Sequence, residues 1–294
     1  MSSCRIPSVD AAPDRVCCRL APLHRGVCRV RRYPSDTTDA QWTVIDPLLP
    51  DPAWLTGKGG RREIHCRRAI VDAIFYLVDN GIKWRALPAD FPPWSTVYNY
   101  FAAWEAAGVT QAVLDDLRDR VRLREGRTAM PSAAIIDSAS VKSAQTVGAA
   151  SRGYDAGKKI NGRKRHIAVD TLGLLLCIIV TAASVQDRDA ARPLLEQLAA
   201  SFRRIRLVWA DGGYAGKLVD WAQTSLKVVL QIVKRPHVNK FVVLPRRWVV
   251  ERTLAWIAGH RRCVRDYERL PEHHAAMVRW TMIRITSRRL TKPV

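Results

Sequence analysis

The sequence predicts an α/β protein in which an all-helical segment precedes a mixed five-stranded sheet with helices on both faces. Three observations carry that expectation. Apolar residues recur at helical spacing from residue 33 to about residue 127, and from residue 132 the period shortens to strand-like runs. Two of those runs end on a carboxylate, Ala133-Ala134-Ile135-Ile136-Asp137 and Leu207-Val208-Trp209-Ala210-Asp211. A third carboxylate, Glu251, lies inside the helical pattern Arg246-Arg247-Trp248-Val249-Val250-Glu251-Arg252. At 294 residues and 48% hydrophobic content the chain can bury a large core, divided into two domains at most.

Residues 1–32 show neither period. Arg, Cys and Pro alternate there, so the segment is expected to be a poorly ordered leader, with a basic arm touching DNA as the alternative. The seven cysteines include no C-x-x-C pair, which argues against a structural zinc and fits a reducing cytoplasm. No signal-peptide pattern is present, so a cytoplasmic location is expected.

The helical segment, 33–127, opens with N-cap candidates among Ser35, Asp36, Thr37 and Thr38, followed by Trp42, Ile45 and Leu48-Leu49. A second helix is expected from near residue 61, with Ile64, Ala69, Ile70, Ile74, Leu77 and Val78 on one face. Its early turns present Arg67 and Arg68 to DNA, and Gly81 stops it. After Pro92-Pro93, Ser95 is the expected N-cap of a third helix. Together the second and third helices look like a helix-turn-helix variant, with Thr96 and Asn99 toward DNA and Trp94, Tyr98, Phe101 and Trp104 packing inside.

From residue 132 to 294 a single catalytic domain is expected. Its first strand is Ile135-Ile136. The second and third, 165–170 and 174–183, are joined by the hairpin-length turn Thr171-Leu172-Gly173. A helix over 189–202, a fourth strand over 206–210, a helix over 216–225 and a fifth strand over 227–233 follow. Helices over 246–260 and 271–290 complete the chain. The order β-β-β-α-β-α-β-α is that of the ribonuclease-H-like fold, whose first and fourth strands are neighbours. Asp137 and Asp211 are therefore expected to end side by side, with the later helix bringing Glu251 across.

Charge points to the substrate. Lys and Arg number 48 against 27 Asp and Glu, a net +21, so a polyanion is the first partner to consider. The longest strongly apolar run, 172–180, is too short to span a bilayer, which leaves double-stranded DNA rather than membrane. Three converging carboxylates in such a protein suit two Mg²⁺ (or Mn²⁺) per active site, acting on a phosphodiester. Six of the nine residues from 158 to 166 are basic: Lys158, Lys159, Arg163, Lys164, Arg165 and His166. They are expected to project just before the second strand and to hold backbone phosphates. Trp248, three residues before Glu251, offers an indole to an unpaired base, unless it is a buried core residue. Gly212-Gly213 permit close backbone approach after Asp211, and Asp187 and Asp189 are expected to cap the helix that follows them.

The motifs that surround these residues are specific. They are Trp84-Arg85-Ala86-Leu87-Pro88, Phe91-Pro92-Pro93-Trp94-Ser95-Thr96-Val97-Tyr98, Asp137-Ser138, the basic run from Gly157 to His166, Gln186-Asp187-Arg188-Asp189, Ala210-Asp211-Gly212-Gly213-Tyr214 and Arg247-Trp248-Val249-Val250-Glu251-Arg252. From about residue 33 to the C-terminus the chain resembles the DDE transposases of bacterial insertion sequences, family five of the IS four/five group. The resemblance implies binding to terminal inverted repeats, metal-dependent strand cleavage and strand transfer, and a homodimer or larger assembly on DNA. It implies Asp137, Asp211 and Glu251 as the catalytic, metal-binding triad. In the wider group a Tyr-x-x-Arg-x-x-x-Glu-x-x-x-x-x-x-Lys pattern contacts the terminal phosphate. Arg247 and Glu251 match it, but Leu244 and Ala258 stand at the tyrosine and lysine positions. Arg261 and Arg262, one turn on, are candidates to replace the lysine. A structure-selective nuclease on the same fold, or a catalytically inactive DNA-binding repressor derived from a transposase, are the rival readings.

Overall fold

The computed structural model describes residues 19–20, 29–59, 62–233 and 246–292. Helix α1 (Asp39–Ile45) starts where the Thr38 hydroxyl accepts from the Gln41 N–H and the Gln41 side chain accepts from the Thr38 N–H. This reciprocal cap satisfies two otherwise orphaned donors. Helix α2 (Arg67–Asn80) ends at Gly81 in the left-handed region, as its sequence predicts, but begins at Arg67 rather than near residue 61. Ile64 thus lies outside the helix and is exposed instead of packed. Helix α3 (Trp94–Ala106) takes Pro93 as its cap residue, and Ser95 makes no capping hydrogen bond. The Pro92-Pro93 pair keeps the chain extended up to Trp94, so the first helical turn opens one residue before the serine. Helix α4 (Val109–Arg124) closes the helical segment.

Among the described residues the sheet has six strands, one more than expected: β1 (Ala133–Lys142), β2 (Gly153–Asp155), β3 (Ile160–Val169), β4 (Leu175–Ala182), β5 (Leu207–Ala210) and β6 (Val229–Ile232). The extra strand, β2, pairs with the first residues of β3, which starts five residues earlier than the sequence reading placed it. The order is β4-β3-β1-β5-β6. Here β3 runs antiparallel to β1 and β4, and β5 runs parallel to β1 and β6. Strand β1 also runs five residues past Asp137, because Ser138 to Lys142 continue the ladder against Gly162 to His166 of β3. Asp137 is therefore inside a strand and not at its end.

Side-chain alternation splits the sheet between two cores. Ala134, Ile136, Ala168, Val208 and Ala210 face helices α5 (Asp187–Ser201) and α6 (Lys217–Leu226). Ile135, Ile167, Val169 and Trp209 face the other way, toward α7 (Arg247–Ala258), the short α8 (Arg261–Val264) and α9 (Pro271–Thr291). That second core continues into α1–α4 through Trp42, Ile74, Phe101 and Leu117, packed with Met277 and Trp280 of α9. The helical segment and the C-terminal helix thus share one hydrophobic core. Of the expected leader, Leu20 is buried and the Arg29 guanidinium is paired with Asp36 and Asp90, so these residues are tied to the helices. Residues 1–18 and 21–28 lie outside the described residues. Among the described residues no helix is long and apolar enough to cross a membrane.

Candidate active site

The parallel pairing of β1 with β5 sets Ile135 opposite Trp209, and two residues further on it carries Asp137 and Asp211 to the same end of the sheet. Asp211 leaves β5 and caps a single 3-10 turn, its Oδ1 accepting the Gly213 N–H at 2.9 Å. A Cβ at Gly213 would stand 3.0 Å from that oxygen, so glycine lets the backbone close around the carboxylate. Glu251 comes from the second turn of α7, with Arg247 one turn before it on the same face.

The three carboxylates converge on one atom. Arg247 Nη2 lies 3.3 Å from Glu251 Oε1, 3.7 Å from Asp211 Oδ2 and 3.9 Å from Asp137 Oδ2. Arg247 is buried, whereas the Glu251 side chain is 53% exposed, so the cluster opens to solvent on the Glu251 side. Burial pushes the Asp137 carboxyl up to about 6, and Asp211 adds to the rise. The Ser138 N–H and the Arg247 guanidinium oppose it. Tyr214 is buried close by, its phenol driven well above its usual range by burial and by the charges of Asp137, Asp187 and Asp211. As they stand, no three His, Cys, Asp or Glu side chains among the described residues are grouped to hold one ion. The Arg247 guanidinium lies among the acids.

A fourth carboxylate belongs to this region. The sequence predicts Asp187 as a helix cap, but the cap residue of α5 is Gln186, which has no side-chain bond. Asp187 instead accepts from Ser138 Oγ at 2.8 Å and pairs with Lys164 Nζ at 3.2 Å, next to Asp137 in the chain. No local pattern distinguishes it from a cap. Only its place in the Gln186-Asp187-Arg188-Asp189 motif marked it.

The basic residues divide by burial. Lys158 and Lys159 are exposed on the turn before β3, and Lys158 Nζ reaches the Ser138 carbonyl at 3.4 Å. Arg163, Lys164, Arg165 and His166 do not project. They are buried strand residues. Arg163 pairs with Asp266 at 2.9 Å and Lys164 with Asp187, Arg165 donates to the Cys263 carbonyl, and His166 meets Thr181 Oγ1. Carboxylates match the charges of Arg163 and Lys164, and burial keeps all four side chains away from a phosphate-binding surface. Burial also holds the His166 imidazole down at about 4. Arg67 and Arg68 are buried as well, paired with Glu63 and Asp39, and Arg262 is buried on Glu268. Arg261 and Asn99 are exposed and Thr96 is half-buried. Trp248 is 43% exposed and so is not a core tryptophan. Leu244 lies outside the described residues.

Two family descriptions match separate stretches of the chain. Residues 37–114 match the family described as "Putative transposase of IS4/5 family", and residues 128–285 match the family described as "Transposase DDE domain". The chain is similar to the "Putative transposase for insertion sequence element IS402" of Burkholderia cepacia, with 32% identity over 125 residues. That match covers 40% of this chain and 59% of the relative, so the chain spans under two thirds of that protein's length. It is also similar to the "Insertion element IS402 uncharacterized 16.2 kDa protein" of the same organism, with 33% identity over 106 residues. This second match covers 35% of the chain and 71% of the relative. No solved structure matches the chain.

Proposed function

Because the chain belongs to the DDE-domain transposases of the IS4/5 family, we propose that it binds the terminal inverted repeats of an insertion sequence and catalyses strand cleavage and strand transfer at their ends. The observation that carries the reading is the convergence of Asp137, Asp211 and Glu251 on one guanidinium nitrogen. In this proposal the catalytic domain is ribonuclease-H-like, as its strand order β4-β3-β1-β5-β6 and its parallel β1–β5 pair suggest.

The donor set fits hard divalent cations: three carboxylates, all oxygen, already drawn around a positive charge. Asp137, Asp211 and Glu251 would hold two Mg²⁺ or Mn²⁺. When bound, such ions activate the attacking oxygen and bear the charge of the leaving one. The rest of the work falls to the chain itself. Asp187 and Ser138 fix the β1 backbone beside Asp137. Gly213 holds the Asp211 carboxylate in place. The exposed Lys158 and Lys159 grip the phosphate backbone, Arg261 stands in for the absent lysine of the family pattern, and Arg247 turns from the acids to the terminal phosphate. Thr96 and Asn99 on α3 face the duplex from the helical segment. Two ends must be brought together, so the working form is a homodimer or larger, acting on DNA in the cytoplasm.

The test is nicking. Wild-type protein and the Asp211→Asn variant are incubated with DNA carrying the element's ends, with Mg²⁺ and with EDTA. Wild-type nicks at the 3′ ends with Mg²⁺ alone, absent in the variant, support the reading. Specific end binding without nicking would assign an inactive repressor, and nicking without end specificity a structure-selective nuclease.

A further inference from the structure

Helix α7 carries a second surface, turned away from its buried face of Val249, Val250, Thr253 and Ile257. Trp248, Arg252 and Trp256 are spaced four apart and so lie in one row. The Arg252 guanidinium is sandwiched between them, 4.6 Å from the ring centre of Trp248 and 4.5 Å from that of Trp256. It is pinned from behind by a 3.0 Å bond to the Leu172 carbonyl. The turn that supplies this carbonyl approaches so closely that a Cβ at Gly173, whose φ is +80°, would stand 2.8 Å from Thr253 Oγ1 and 3.3 Å from the Trp256 ring. Arg252 is thereby rigid, and it holds both indoles in a ladder.

The ladder has two distinct ends. Trp248, 43% exposed, adjoins Arg247 and Glu251 at the carboxylate cluster. Trp256 forms one wall of a cavity of about 590 Å³ whose other walls include Arg288, Arg289 and Lys292. An indole row leading from the acids to a basic groove matches one chemistry. Aromatic faces take up unstacked bases, cations take up the phosphates that follow, and a base inside a duplex offers no face to an indole. From Trp248 to Trp256 the helix rises about 12 Å, the length of three to four nucleotides stacked at about 3.4 Å each.

We propose that the Trp248–Arg252–Trp256 row and the groove of Arg288, Arg289 and Lys292 form a track for a single DNA strand that leaves the carboxylate site. Its bases stack on Trp248, and its backbone runs into the groove. The inference rests on the reading of that site as a DNA-cleaving centre, but binding to the track is tested without cleavage.

The experiment uses the full chain in EDTA. Fluorescein-labelled oligothymidylate and a duplex of equal length are titrated by anisotropy, and an oligonucleotide carrying 2-aminopurine reports stacking. Expected is a roughly tenfold or greater loss of single-strand affinity in Trp248→Ala. The 2-aminopurine quench should be lost as well, and both should return in Trp248→Phe. The triple change Arg288→Gln, Arg289→Gln, Lys292→Gln should weaken the same complex and flatten its salt dependence. Duplex affinity should change far less in every variant. Single-strand binding and quenching unaltered in Trp248→Ala would overturn the proposal, as would equal losses for single strand and duplex. Nicking by Asp211→Asn reports separately on the cleavage reading, so either idea can fail while the other stands.

Discussion

Replacing Arg247 with methionine removes a cation that three carboxylates share, and the structure sets the cost. Coulomb attraction at 3.9 Å between Arg247 and the largely buried Asp137 is worth about 4 kcal/mol at an effective dielectric near 20. The pairs with Asp211, 35% exposed, and Glu251, 53% exposed, add only about 0.5–1 kcal/mol after solvent screening. The full Asp137 figure is never reached, because the group takes a proton instead. Its carboxyl already stands at about 6, so the loss is capped near 1.4 kcal/mol for each pH unit above that value. At about pH 8 the cap is ~3 kcal/mol, which with the screened pairs makes ~3–4 kcal/mol. Near pH 5.5 the Asp137 share vanishes. Scanning calorimetry in EDTA should therefore show Arg247→Met melting about 5–6 °C below wild type at pH 8 and within about 2 °C at pH 5.5. Excess Mn²⁺ should raise the variant more than the wild type, since ion and guanidinium compete for one place. A deficit equal at both pH values, or an equal gain from Mn²⁺, would refute the view that Arg247 acts as counter-ion to the cluster.

Two further outcomes follow from the same geometry. In metal-free protein a carboxyl raised to about 6 makes the folded chain hold its proton more tightly than the unfolded chain. Asp137 thus favours the fold below its usual value near 3.8 and loses up to ~3 kcal/mol of that advantage as pH climbs to 6. Asp137→Asn should flatten this slope in urea melts recorded across the window, and an unchanged slope would show that Asp137 is not the group responsible. Asp187→Asn leaves the buried Lys164 without its 3.2 Å partner and should destabilise by about 1–3 kcal/mol. Because Asp187 also holds Ser138 beside Asp137, single-turnover nicking should fall while affinity for the ends is kept. Equal losses in both would mark it as a purely structural residue.

Why some of this site is legible in the sequence and some is not comes down to the range of the interactions. Asp137 and Asp211 stand out because each ends an apolar run, and the parallel β1–β5 pair needs only the strand order. Glu251 is one helical glutamate among others, and the motif Arg247-Trp248-Val249-Val250-Glu251-Arg252 is what singles it out. Burial of a charge is not local. Arg163 looks like part of a solvated basic run, yet its partner Asp266 lies 103 residues away and its side chain is wholly buried. Arg67, Arg68 and Arg262 mislead in the same way, each matched by a carboxylate or carbonyl that only the folded chain brings near. The net charge of +21 names a polyanionic partner, but it does not say which cations meet that partner. A guanidinium desolvated against a carboxylate contributes to the count and nothing to the binding surface. Once those are set aside, Lys158, Lys159, Arg261 and Lys292 remain open to solvent, while Arg288 and Arg289 are half-buried, the first on the Pro34 carbonyl and the second 3.6 Å from the exposed Glu125 carboxylate. Trp248 and Trp256 lie on the row that leads from the acids to Arg288, Arg289 and Lys292.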